Sequence, residues 1–131
     1  MNGFLLDANV ALRATTTVSL SRAALRAIER GPTFLSVVSY WEVLIKSMKG
    51  KLAAGAPQLW WRTMLEHLAA TPLPLLPDHV TEIARLPPIH SDPFDRALIA
   101  QAQLEELVLV TTDSVIGEYS NTRLRVLVSA S

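Results

Sequence analysis

Four carboxylates stand at positions that demand a reason. Asp7 closes the short apolar run Gly3-Phe4-Leu5-Leu6, and Asp113 follows Leu107-Val108-Leu109-Val110-Thr111 after one further residue. Each lies just past the C-terminal end of an apolar strand, where open α/β sheets bind their ligands. Asp95 precedes Leu98, Ile99 and Ala102 by three, four and seven residues, so on a helix it shares a face with side chains that must point inward. Glu42 sits at the edge of the helical apolar set Val37, Val38, Trp41, Leu44, Ile45 and Met48. Taken singly, each acid has an ordinary explanation. Asp7 or Asn9 serves equally as a helix cap, Asp113 as a turn residue or cap, Asp95 as a complement to a helix N-terminus, and Glu42 as the i, i+4 partner of Lys46. Taken together, they converge on one acidic pocket at the mouth of a sheet, where four carboxylates repel one another unless a cation neutralises them. Mg²⁺ or Mn²⁺ suits such a site, because these ions take carboxylate oxygens and water and then polarise a phosphoryl oxygen or activate a bound water.

Composition narrows the alternatives. The chain has 131 residues, half of them hydrophobic, which fits one domain over residues 1–131 with a real core. There is no cysteine, so disulfides, thiolate metal sites and thiol nucleophiles are excluded together, and carboxylate, histidine and hydroxyl chemistry is left. No apolar run approaches the ~20 residues that span a bilayer, and Asp7 interrupts the N-terminal run too early for a signal peptide. The expectation is a cytoplasmic protein that does not engage a membrane. His67, His79 and His90 lack the spacing of a metal pair on one helix and read as surface or packing histidines. The net charge is zero but polarised: residues 1–62 carry eight basic side chains and three acids, the remainder four and nine. Such a chain can present a basic surface beside an acidic site.

The elements that must position the acids alternate between strand and helix. Residues 20–30 have apolar residues at helical spacing and stop at Gly31-Pro32, and Thr33-Phe34-Leu35-Ser36 is a second strand. A helix capped by Ser36 runs to about Gly50, and another spans residues 57–70 with Leu59, Trp60, Met64, Leu65 and Leu68 facing inward. Residues 71–76 are too rich in proline for a central strand and belong at an edge or in a loop. A short helix over residues 78–86 ends at Pro87-Pro88, and Asp92-Pro93 opens the helix that carries Asp95. Residues 117–121 form a loop, and Leu124-Arg125-Val126-Leu127-Val128 is a last strand. The alternation predicts a three-layer α/β/α sandwich around a central, mainly parallel sheet.

Four blocks carry a resemblance. Leu5-Leu6-Asp7-Ala8-Asn9-Val10, the Ser39-x-Trp41-Glu42-x-x-Ile45-Lys46-x-x-x-Gly50-Lys51-Leu52 segment, His90-x-Asp92-Pro93-Phe94-Asp95-Arg96-Ala97-Leu98-Ile99-Ala100-Gln101-Ala102, and Leu109-Val110-Thr111-Thr112-Asp113 resemble, in order, the motif blocks of PIN-domain ribonucleases, above all VapC-type toxins of bacterial toxin–antitoxin pairs. The resemblance implies a Mg²⁺-dependent endoribonuclease whose metal-binding acids are Asp7, Glu42, Asp95 and Asp113, with Asn9 and Thr111 as polar support and Asp92 kept as a helix cap. It implies in-line attack of a metal-bound water on RNA, of the tRNA or rRNA class, leaving a 3′-hydroxyl and a 5′-phosphate. It also implies a homodimer and a small cognate antitoxin whose tail enters the acidic groove. One departure is Ala8, where the family usually has threonine or serine, which puts the orientation of Asp7 in question. Arg13, Arg22, Arg26, Lys46, Lys49 and Arg96 lie near the acidic blocks in sequence and are candidates to meet RNA phosphates. Arg96 is equally placed to be a structural partner of a neighbouring carboxylate.

Two other classes compete. A receiver-like signalling domain also gathers acids at strand ends, but it needs an adjacent acidic pair after the first strand and a lysine after the last. Asp7 stands alone and no lysine follows Lys51. A catalytically inactive PIN-like interaction module keeps the fold and loses the chemistry; the presence of all four acids argues against it and Ala8 argues for it. A dinucleotide or P-loop site is disfavoured, because neither G-x-G-x-x-G nor G-x-x-x-x-G-K-[ST] occurs.

Overall fold

The computed structural model of the protein describes residues 2–15, 20–50, 56–121 and 123–129. Lys51 and Leu52 of the second motif block lie outside the described residues. The strands are β1 (Phe4–Leu6), β2 (Thr33–Ser36), β3 (Ala70–Leu73), β4 (Val108–Thr111) and β5 (Val126–Val128). The helices are α1 (Ala8–Ala14), α2 (Arg22–Arg30), α3 (Val37–Met48), α4 (Pro57–His67), α5 (Pro77–Ile83), α6 (Pro93–Glu105) and α7 (Ser114–Gly117).

All five strands are parallel, in the order β3-β2-β1-β4-β5. The connections run outward from β1 through β2 to β3 and then return to the other side of β1, so the sheet switches direction between β1 and β4. At such a point the flanking connections diverge and leave a crevice beyond the carboxyl ends of the strands. Leu5 and Leu109 face one core with α6, while Leu6 and Val110 face the other with α1, α2 and α4. This period-2 division of central strands buried on both sides makes the three-layer α/β/α sandwich expected from the alternation. The proline-rich stretch forms an edge strand, β3, which among the described residues pairs with β2 alone. No helix among the described residues is long and apolar enough to cross a membrane.

Strand ends lead almost directly into helix caps. Asp7 follows β1 and caps α1, Ser36 ends β2 and caps α3, and Asp113, separated from β4 by Thr112, caps α7. Asp92 caps α6, accepting from the N–H groups of Phe94 (2.8 Å) and Asp95 (3.3 Å). Each cap satisfies backbone donors that the first helical turn leaves unpaired.

Helix α3 departs from the expectation. Its buried residues are Val38, Ser39, Glu42 and Val43, whereas Val37, Trp41, Leu44 and Met48 are exposed, Met48 by 75%. Val38 joins one core and Val43 the other, so α3 bridges the two layers instead of lying flat on one. A bridging helix buries a narrow polar face, and this rotation carries Glu42 inward. On α4, Trp60, Met64 and Leu68 are buried as expected, but Leu59 is exposed. Residues 114–117, before the expected loop, form the short α7.

Gln101 anchors α6 from within. Ser36 Oγ donates to its Oε1 at 2.6 Å and its Nε2 donates to the Pro74 carbonyl at 3.1 Å, tying α6 to β2 and to the segment after β3. Gly3 marks the tightest backbone approach: its φ is +130°, and a Cβ there would lie 2.5 Å from the Pro32 carbonyl oxygen. Gly3→Ala is therefore expected to cost at least about 1–3 kcal/mol of folding stability, read as a lower midpoint in urea denaturation; an unchanged midpoint would contradict this packing.

Candidate metal centre

The crevice at the switch point is an open cavity of about 440 Å³. Asp7, Glu42, Asp92, Asp95 and Asp113 line it, together with Ala8, Asn9, Lys46 and Thr112. The four acids singled out from the sequence, two from strand–helix junctions (Asp7, Asp113) and two from helices (Glu42 on α3, Asp95 on α6), thus share one cavity.

Asp7 is the most confined. Its Oδ1 accepts from the Val10 N–H at 2.8 Å, and its Oδ2 accepts from the Thr111 hydroxyl at 2.5 Å. Burial raises its pKa; the bonds from Thr111 and Val10 oppose the rise, and the charges of Glu42 and Asp113 add to it. Thr111 Oγ1 also accepts from the Asp113 N–H at 3.0 Å, so one hydroxyl links both strand-end acids. Ala8 therefore does not leave Asp7 without an orienting hydroxyl, because β4 supplies it. Asn9 sits on the rim and donates to Thr112 Oγ1 at 2.7 Å.

Asp95 is half-buried on the first turn of α6, among the other acids. Its pKa is raised to about 7, first by burial, then by the charges of Asp92 and Glu42; His90 opposes the rise. Asp113 behaves oppositely. Burial would raise it, but the hydrogen bonds from His90 and the Val115 N–H outweigh that and hold it below its ordinary value. Glu42 pairs with Lys46 at 2.8 Å, the expected i, i+4 contact. The bond to Glu42 raises the Lys46 pKa; desolvation opposes it, and the charges of Asp92 and Asp95 reinforce it.

The other cations are dispersed. Among the described residues, Lys46 is the one predicted phosphate contact that lines the cavity. Arg22 and Arg26 are exposed on α2, Lys49 caps the far end of α3, and Arg13 lies in the last turn of α1. Arg96 does not line the cavity, and its guanidinium is engaged elsewhere. Its Nη1 donates to the carbonyls of Pro87 (2.9 Å) and His90 (3.2 Å), and its Nη2 to those of Ile83 (2.8 Å) and Leu86 (3.2 Å). A planar fork with several donors suits this convergence of carbonyls, so its structural role is as a clamp on the α5–α6 connection and not as the partner of a carboxylate.

His90 is the residue that sequence reasoning missed. Its Nε2 lies 3.1 Å from Asp95 Oδ2 and 3.0 Å from Asp113 Oδ2, inside the acidic cluster. Histidine spacing along the chain carries no trace of this, because the contact is made across two loops. His79 is a packing histidine as expected: it is buried, accepts from the Leu76 N–H at 2.9 Å and faces Glu105 at 2.8 Å.

The donor set fits a hard divalent cation. Carboxylate oxygens surround an open cavity, and burial first, with the charges of the neighbouring acids adding to it, raises the pKa values of Asp7 and Asp95. The sign of the linkage follows for Asp95. A carboxyl with a raised folded pKa binds protons more tightly folded than unfolded, so its contribution to stability is greatest below about pH 4 and is lost as pH rises towards 7. With chelator present, the protein is expected to be less stable at pH 8 than at pH 5. Asp95→Asn is expected to stabilise it at pH 8 by about 1–3 kcal/mol and to flatten that dependence, read by denaturant titration at the two pH values. A variant less stable than the parent at pH 8 would contradict the geometry.

Comparison with known proteins agrees with this architecture. A family model described as the PIN domain matches residues 4–121. No curated protein sequence matches at a significant level. Among solved structures, the chain is similar to VapBC2 from Rickettsia felis bound to a promoter DNA fragment, at 13% identity and TM-score 0.68, covering 94% of this chain and 96% of that one. It is also similar to VapBC-5 from Mycobacterium tuberculosis, of a toxin–antitoxin family, at 19% identity and TM-score 0.64, covering 98% and 99%. FitAcB from Neisseria gonorrhoeae gives 17% identity and TM-score 0.64, covering 95% and 96%. With the family model spanning nearly the whole sequence and the acidic crevice at the switch point of a parallel sheet, the chain belongs to the PIN domain family.

Proposed function

We propose that this protein is a metal-dependent endoribonuclease, the VapC-type toxin of a toxin–antitoxin pair, acting on cytoplasmic RNA of the tRNA or rRNA class. The observation that carries the reading is the convergence of Asp7, Glu42, Asp95 and Asp113 on one open cavity. These four carboxylates would hold Mg²⁺, with Mn²⁺ as a substitute, and the ion would supply Lewis-acid activation of water and of a phosphoryl oxygen. The chain's own groups do the rest. Thr111 and the Val10 N–H fix both oxygens of Asp7, and Thr111 with the Val115 N–H fixes the Asp113 junction. Lys46 brings a positive charge to the same cavity, suited to an RNA phosphate beside the carboxylates. The presence of every acid and of the Thr111 hydroxyl supports catalysis over the reading as an inactive interaction module. The cleavage chemistry is tested by incubating purified protein with total RNA. Cutting is expected with Mg²⁺, none with chelator, and a fall of more than about 100-fold in Asp95→Asn. Cutting that persists in chelator or in the variant would overturn the metal mechanism, and no cutting in any condition would favour the inactive module.

The exposed stripe Val37, Trp41, Leu44 and Met48 supports the partner half of the reading. It runs along α3 at i, i+4, i+7 and i+11, the seam that an amphipathic segment of another chain covers. Glu42, Val43 and Lys46 of the same helix line the acidic cavity. A chain laid along the stripe with a cationic side chain at its end would therefore complement both surfaces, which suits the proposed antitoxin. One similar solved structure, from Klebsiella pneumoniae, is a toxin–antitoxin complex, and VapBC-5 belongs to a family of toxin–antitoxin systems. Leu44→Ser with Met48→Ser is expected to weaken binding of the co-encoded antitoxin by about 10-fold or more, measured by calorimetry. Unchanged affinity together with loss of self-association in light scattering would instead assign the stripe to the proposed homodimer.

A further inference from the structure

His90 faces the two carboxylates with one ring nitrogen and a backbone amide with the other. Nδ1 accepts from the Asp92 N–H at 3.1 Å. A ring nitrogen opposite an N–H must offer a lone pair, so in the neutral imidazole the proton belongs to Nε2. Nε2 is then a donor, placed 3.1 Å from Asp95 Oδ2 and 3.0 Å from Asp113 Oδ2.

The backbone of the same residue is held on both sides. The His90 N–H donates to the Tyr119 hydroxyl at 2.7 Å, and its carbonyl accepts from Arg96 at 3.2 Å. Arg96 also donates to Tyr119 Oη at 3.3 Å, and that hydroxyl donates to the Pro87 carbonyl at 2.9 Å. Ring and backbone are thus fixed by a guanidinium engaged with four carbonyls and a tyrosine that is buried.

We propose that His90 is a positioning residue of the metal centre: a fixed Nε2–H donor, shared by Asp95 and Asp113, that holds two repelling carboxylates at a common separation. This rests on the metal reading under Proposed function and adds a residue that the acids alone do not include. The ligand atoms of His90, Asp95 and Asp113 lie within 4.8 Å of one another, which also admits His90 as a nitrogen ligand. Ligation through Nε2 would move the proton to Nδ1, where it would oppose the Asp92 N–H, so the hydrogen bonding favours the donor role.

Two measurements decide it, neither of which needs RNA. Calorimetric titration with MnCl₂ is expected to show affinity reduced about 10-fold or more in His90→Ala, as for other residues that orient metal ligands, and largely restored in His90→Gln, whose amide keeps an N–H donor. ¹⁵N spectra of the wild-type ring are expected to show a protonated Nε2 and a bare Nδ1, both without metal and with Mg²⁺. Equal Mn²⁺ affinity in wild type and His90→Ala overturns the inference, as does equal loss in the alanine and glutamine variants. A proton found on Nδ1, with or without Mg²⁺, overturns it in favour of ligation or of a different network. A wild type that takes no Mn²⁺ overturns the metal reading itself, and the positioning role with it, which separates the two failures.

Discussion

Like-charge repulsion at the carboxyl ends of β1 and β4 is the constraint on which the rest of the structure depends. Carboxylates brought into one crevice would separate or take up protons unless the backbone holds them there. The hold is provided by helix capping. Asp7, Asp92 and Asp113 each accept a backbone N–H at the start of a helix, so the bonds that begin α1, α6 and α7 also fix the site's acids. The positive ends of those helices face the negative charge, which offsets part of the repulsion. Asp95 has no such bond to its own carboxylate among the described residues, and burial with the charges of Asp92 and Glu42 raises its pKa to about 7; burial raises Asp7 as well, against the bonds that hold it.

Helix α3 shows how the site shapes the surface. A helix of this apolar content would gain most by burying Val37, Trp41, Leu44 and Met48, yet these are exposed while Ser39 and Glu42 are inside. Bridging two cores at the end of the sheet leaves α3 a narrow contact face, and that face is the one carrying Glu42. The apolar residues are displaced outward, where Trp41 packs edge-on against Phe94 at 5.0 Å beside the first turn of α6. Exposed apolar surface of this kind on a small domain usually marks an interaction site.

Arg96 and Tyr119 illustrate support from behind. The connection between α5 and α6 has little regular structure, and its carbonyls would otherwise be poorly paired. The guanidinium gathers four of them and fixes where His90 stands. Charge near an acidic block in sequence carried no sign of this carbonyl clamp, because only the folded connection brings the four carbonyls together.

The sequence by itself determined the α/β alternation, the strand-end positions of Asp7 and Asp113, the inward face of α6 and the caps Ser36 and Asp92. All of these follow from local periodicity and backbone chemistry, which act over a few residues. Which side of α3 turns inward, the hydroxyl that reaches Asp7 from Thr111, and the seating of His90 between Asp95 and Asp113 were decided only by the tertiary structure. These contacts join residues 23 to 104 positions apart or depend on how a helix meets two cores at once. Local pattern carries no information about such juxtapositions; the order of strands around the switch point creates them.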